Sequence, residues 1–347
     1  MLSVSTANNK TERAPELAIP QRLNLGLLVL HSVAIIFQLL ILPIYLMPQN
    51  GWWSLTIIPL AALNNPLWAL MHECIHDAFN ASSWVNLAAG RWLSILFGSP
   101  FQILRLTHLS HHKFNRSPLE KGTEMYDSKQ SSKFVAACQY YFYIICGVYL
   151  LEVFSAVIFL LPKICFREFG LRLMEKGDRQ EQWLAQKFQD QSRQTEIRTD
   201  ALGILLLYGL GAYCYRGHLL VFLSMVAFRA VLISLMDNVY HYGTTVKVTI
   251  SGHNLALPRL LATGLLNFNF HRIHHTHPNV PWTGLPYLYR EKGDFCDYNF
   301  FLAVFRQFIG PMSIEQLQPV ATSMENPRFE SAPLMGATAQ DTVHATR

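Results

Sequence analysis

Apolar and polar positions alternate along this chain in blocks whose length matches a lipid bilayer. Residues 25–47 form an apolar run long enough to cross as a helix rising about 1.5 Å per residue. Pro48, Gln49, Asn50 and Gly51 turn the chain. Residues 52–71 return it, with Trp52 and Trp53 at an interfacial level and Pro59 and Pro66 tolerable as kinks. These two runs read as a transmembrane hairpin ending at His72. Residues 84–104 are apolar but interrupted by Asn86, Arg91, Gly98 and Pro100, which suits an interfacial or partly immersed element. After a polar stretch to Lys133, residues 134–161 are apolar again. Residues 163–200 carry eight Lys or Arg among acidic neighbours and belong in water. Two further apolar runs, 201–215 and 219–236, flank Arg216, Gly217 and His218.

Composition agrees with this pattern. Of 347 residues, 51% are hydrophobic and only 15% charged, which excludes an ordinary soluble domain and predicts a polytopic, all-α membrane protein. The net charge of +5 is spread over the polar segments without a basic stripe, so nucleic acid is not an expected partner. Six cysteines stand in mostly apolar surroundings with no CxxC spacing and read as small buried hydrophobes. The expected organisation is a cytosolic N-terminal segment at 1–24, one membrane domain at 25–317 and a disordered polar tail at 318–347.

Chemistry enters with histidine. His72 and His76 lie in HECIHD, His108, His111 and His112 in HLSHH, and His271, His274 and His275 in HRIHH, with His277 just behind. Residues three and four apart share a helical face, so each cluster converges its rings. Neutral imidazole suits iron, zinc, copper or nickel, and eight such residues exceed what one tetrahedral ion uses, so two metals are the simpler reading. Asp237 and His241, four apart where the last apolar run ends, are either further ligands or a helix cap and an interfacial histidine, and spacing leaves both readings open. Glu73 and Asp77 are expected to orient imidazoles rather than bind metal, and His277 fits either role. The isolated His31, His218, His253 and His344 are expected to be structural. Arg229, inside an apolar run, should face the protein interior.

Topology follows from parity. If the three clusters share one site they lie on one side of the membrane, so one of the three apolar runs between His112 and His241 does not cross. The basic 163–200 segment favours the cytosolic side by the positive-inside rule. Residues 134–161 are therefore expected to be re-entrant or interfacial, with 201–215 and 219–236 as the second hairpin. In the alternative, 134–161 crosses and 201–241 is one broken helix.

His72-Glu73-Cys74-Ile75-His76 also satisfies the zinc-protease pattern HExxH, with Glu73 as general base. That reading leaves both HxxHH triplets unused. A non-catalytic metal-binding or transport protein is a third class.

Taken together, the three boxes and the segment His277-Pro278-Asn279-Val280-Pro281-Trp282-Thr283-Gly284-Leu285-Pro286 resemble the membrane fatty acid desaturase superfamily, which includes acyl hydroxylases, acetylenases and carotenoid ketolases. The resemblance covers roughly residues 25–286. It implies about four transmembrane helices in two hairpins beneath a cytosolic cap holding two irons. The implied ligands are His72, His76, His108, His111, His112, His241, His271, His274 and His275. Acyl-CoA members carry Asn at the position of Asp237, a departure that bears on its role and on the carrier of the substrate. The implied activity is an O2-dependent fatty acyl desaturase, or a hydroxylase, acetylenase or ketolase of the same superfamily, acting on a lipid. Electrons are expected from an external ferredoxin or cytochrome with its reductase, since the chain carries no GxGxxG after a strand and no cysteine set for a cluster.

Overall fold

A computed structural model describes residues 17–117, 124–161, 174–176, 178–248 and 250–318. The tail expected to be disordered lies, from 319 on, outside the described residues, as does most of the N-terminal segment.

The first apolar run becomes helix α1, Gln21–Leu46, whose second half widens into π turns around Pro43, a residue with no amide to donate. Asn50 caps the turn by accepting from the Trp52 amide, and α2, Gly51–Ile75, runs back alongside. Helix α3, Ser83–Phe97, follows and stops at Gly98, whose φ of 104° is the left-handed conformation that favours glycine. Pro100 then starts α4, Phe101–Phe114, which carries the second histidine box. The run expected to be one interrupted element is thus two helices folded at Gly98, Ser99 and Pro100.

Beyond these come α5, Lys133–Ile158; α6, Arg179–Phe188; α7, Gln191–Cys214; and α8, Leu219–Val239. Helix α7 begins ten residues before the apolar run that announced it, at a cap formed by Asp190, so its 24 residues suffice for a crossing. Short elements complete the fold: α9, Arg259–Gly264; α10, His271–Thr276, with the third box; α11, Leu285–Glu291; and α12, Phe300–Ile309. Two two-residue parallel pairings tie these loops down, Met125–Tyr126 with Met312–Ser313 and Leu255–Ala256 with Tyr298–Asn299.

Among the described residues five helices, α1, α2, α5, α7 and α8, are long and apolar enough to cross a membrane. The contacts of α5 distinguish it from the other four. Tyr140 near its start donates to the Gln307 carbonyl and packs on Tyr242, just past the histidine-bearing end of α8. Its middle, at Tyr149, meets Ser234. Its end packs Ala156 on Ala201 and Ile204, and the Leu161 carbonyl accepts from Arg198, all in the early part of α7. The chain reaches α5 from a strand paired beside the histidines and continues to α6, where Gln180 donates to Ser110 in the second box. The first half of α5 thus packs beside the end of α8 that precedes His241 and its last turns pack on the early part of α7, while α1 with α2 and α7 with α8 form the two hairpins.

The core lies where these hairpins meet α3 and α4, around Leu39, Leu42, Leu67, Leu70, Phe97 and Phe101. Arg229 faces this interior, fully buried and donating to Gln38 of α1 and to the Tyr208 hydroxyl of α7. Asp200 of α7 joins three helices: it accepts from Arg91 of α3 at 2.7 Å and from the Phe101 amide at the start of α4 at 3.2 Å. Asp200→Ala leaves both donors facing an apolar methyl group and is expected to lower stability by roughly 1–3 kcal/mol, the half-exposed Arg91 keeping the loss at the lower end. Thermal unfolding in detergent tests this, with Asp200→Asn expected to lose less because it retains an acceptor.

Candidate metal centre

Four elements bring their histidines to one end of the bundle. His72 sits in the last turn of α2 and His76 just after it; His108, His111 and His112 project from α4; His241 follows the end of α8; His271, His274 and His275 lie on α10. All nine histidines singled out by the sequence and the resemblance meet here, in two groups able to hold a metal ion. One contains His72, His76, His108, His112 and His274, the other His111, His241, His271 and His275, and within each group the ligand atoms lie within 4.8 Å of one another.

The fine geometry fits metal ions. Nε2 atoms face each other at 3.0 Å for His76 and His108, 2.9 Å for His108 and His112, and 3.0 Å for His112 and His274. In the second group the separations are 3.1 Å for His111 and His241, 2.8 Å for His241 and His271, and 3.1 Å for His271 and His275. A neutral imidazole nitrogen carries either one hydrogen or one lone pair, so an Nε2 cannot donate to one neighbour and accept from another. His108, His112, His241 and His271 each face two partners, which hydrogen bonding alone cannot satisfy. Separations near 3.0 Å are instead those of ligands at right angles around an ion roughly 2.1 Å from each. His72 adds a second observation: it is buried, and both of its ring nitrogens lack a hydrogen-bond partner.

Electrostatics prepares the same chemistry. Burial, reinforced by neighbouring imidazoles, holds His108, His112, His241, His271, His274 and His275 well below the usual histidine range; burial and then Arg105 bring His76 down to about 3. Such rings are neutral at physiological pH, the form that binds metal. Aromatic groups close the gaps. Phe268 stands 4.9 Å from the ring centres of both His72 and His271, and Tyr240 stacks on His271 at 4.8 Å.

The remaining candidates lie outside both groups. Glu73, expected to orient an imidazole, accepts from the Trp282 amide at 3.0 Å, fastening the segment after the third box to the first. Asp77 leaves α2 with a left-handed φ of 55° and lies 3.7 Å from Arg105. The Nδ1 of His277 lies 2.8 Å from the Thr276 hydroxyl. Asp237 lines a cavity of about 560 Å³ beside the histidines, one turn before His241. Sequence reading missed three supporting residues. Arg116 reaches the His241 carbonyl and pairs with Glu124. Arg272, inside the third box, is clamped by Asp294 at 2.6 Å and Asp297 at 2.8 Å. Asn254 accepts from the Arg272 amide at the start of α10. Of these, only the arginine within HRIHH and the aspartates of GDFCD gave any signal, as unpaired charges near a box.

A helical membrane protein with two adjoining polyhistidine sites is thus defined by fold and geometry. A family model, fatty acid desaturase, matches residues 50–305, and the chain belongs to that family. No curated protein matches it. The family makes it a desaturase-type oxidoreductase.

The depressed histidines carry a sign that can be tested on metal-free protein. Unfolded, they take up protons near pH 6.5, whereas the folded site holds them neutral, to about pH 3 for His76. The unfolded state then binds more protons, so stability falls as pH drops below roughly 6.5. Unfolding temperature in detergent is expected to be several degrees lower near pH 5 than near pH 7.5; a flat profile would mean the rings are solvated in the folded state.

Proposed function

We propose that the protein is a di-iron, O2-dependent desaturase of a lipid acyl chain, with one iron held by His72, His76, His108, His112 and His274 and the other by His111, His241, His271 and His275. The observation that carries this reading is the five-plus-four arrangement of imidazoles bordering a largely apolar cavity. When bound, the irons would activate dioxygen to remove hydrogen from an unactivated C–H bond.

The chain's own residues supply the rest. Trp68, Leu151, Ile233, Met236, Leu265 and Phe268 line the cavity and would hold an alkyl chain against the wall formed by His108, His111, His241 and His271 while excluding water. Arg116 and Arg272 fix the backbone of the ligand-bearing segments, so the rings need little rearrangement on metal binding. Electrons come from an external ferredoxin or cytochrome. The histidine face is cytosolic, a reading supported by the eight Lys or Arg of 163–200, part of which, α6, packs on that face.

Hydroxylation, acetylenation or ketolation by the same centre is the second reading, and the cavity walls are compatible with each. The intramembrane protease reading is disfavoured because Glu73, its required base, is engaged with the Trp282 amide.

Metal analysis of purified protein is expected to give about two irons per chain; a single zinc would overturn the reading. Expressed in a host and followed by lipid mass spectrometry, the chain is expected to yield products two hydrogens lighter, whereas a gain of one oxygen would favour the hydroxylase reading. His111→Ala is expected to abolish turnover without preventing membrane insertion. Asp237→Asn is expected to cost less activity than His241→Ala, and equal loss would indicate that Asp237 also binds metal.

A further inference from the structure

Of the four histidines in the second group, His111, His271 and His275 are carried on helices, whereas His241 lies in the turn after α8. The last carbonyls of a helix have no donors within it, so a ligand just past the end depends on donors from elsewhere. His253, which lies outside both histidine groups, supplies two of them. Its backbone amide donates to the Tyr240 carbonyl at 2.8 Å and its Nε2 to the Tyr242 carbonyl at 3.0 Å, so one residue holds the chain on both sides of His241. Asn254, the next residue, holds the other side of the site. Its Oδ1 accepts from the Arg272 amide at 3.1 Å, and its backbone is bridged to Phe270, so it grips the chain on both sides of His271. Asp297 ties the pair together: its Oδ2 lies 3.6 Å from the His253 Nδ1 and accepts from the Asn254 amide at 2.9 Å and from Arg272 at 2.8 Å. Both His253 and Asn254 are buried. The separation they set is that between His241 and His271, whose Nε2 atoms face each other at 2.8 Å.

We propose that His253 is a positioning residue for the second metal site: it fixes the turn that carries His241 at the distance from α10 at which His241 and His271 bind one ion. This rests on the reading above that the second group holds a metal. His253 acts through the backbone on either side of His241, and its own ring is no ligand. The first group takes no ligand from the turn after α8, so loosening that turn weakens the second site and spares the first.

Titration of the metal-free full chain in detergent with cobalt(II), followed by the visible absorption of the bound ion, tests this. The wild-type chain is expected to take up two ions in separable steps. His241→Ala removes a ligand and so identifies which step belongs to the second site. His253→Phe keeps a ring to pack on Tyr298 but leaves the buried Tyr242 carbonyl without its donor. It is expected to weaken that same step by about tenfold or more and to leave the other within about twofold. His253→Gln, which restores an N–H near the place of Nε2, is expected to recover most of the loss. Weakening of both steps together, as from a misfolded chain, assigns His253 to the fold alone and overturns the proposal, as do two unchanged affinities or a loss that His253→Gln does not recover. The underlying reading fails separately. A wild-type chain that takes up a single ion removes the second site and this role with it, whereas one that shows the expected cobalt pattern but purifies without iron removes the di-iron reading and keeps this one.

Discussion

Eight imidazoles held with their Nε2 atoms about 3 Å apart, with the ring of His72 packed against those of His76, His108 and His274, are the constraint on which the rest of this structure depends. Lone pairs directed into a common space repel one another and cannot be relieved by hydrogen bonds among themselves, since each nitrogen has a single site to offer. Only cations at the two convergence points turn that arrangement from unfavourable to favourable. The surrounding fold can be understood as what is required to impose it: two rigid hairpins, a helix break at Gly98, Ser99 and Pro100 that turns α4 beneath them, and buried ion pairs at Arg116 and Arg272 that fix the ligand-bearing loops.

The same scaffold explains why the two histidine groups and the cavity adjoin. Helix α5 contributes Tyr143, Val148 and Leu151 to the wall of the cavity, which Trp68 and Ala69 of α2 and Ile233 and Met236 of α8 also line. Residues one face of a helix apart then serve different ends. On α8, His241 joins the metal group while Met236 and Ile233 line the apolar wall, and Asp237 lies between them.

Much of this was legible in the sequence, and for a local reason. Box spacings encode a helical face within five residues, so the box histidines could be chosen without knowing the fold, and apolar runs of bilayer length gave the first hairpin. The parts that were not legible are those decided by long-range contacts. Helix α7 looked too short because its first ten residues are polar; Asp190 caps it and Asp200 buries its charge against α3 and α4, neither of which an apolar run reveals. The position of α5 depends on Tyr140, Tyr149 and Ala156 meeting particular partners, since its composition alone equals that of a span. The amide that Glu73 binds is 209 residues away, a contact that its place beside His72 does not reveal.

One such contact bears on how the protein is assembled. Asn24, at the start of α1, donates to the Phe79 carbonyl and accepts from the Trp282 indole, 258 positions later. Helix α1 is thus joined to a segment that follows both hairpins in the chain. Such a sequence separation makes closure slow relative to helix insertion, because the intervening chain must be in place before the contact can form. Until then the first and third boxes are separate half-sites, so a metal ion that needs ligands from both can be held only once the bundle is complete.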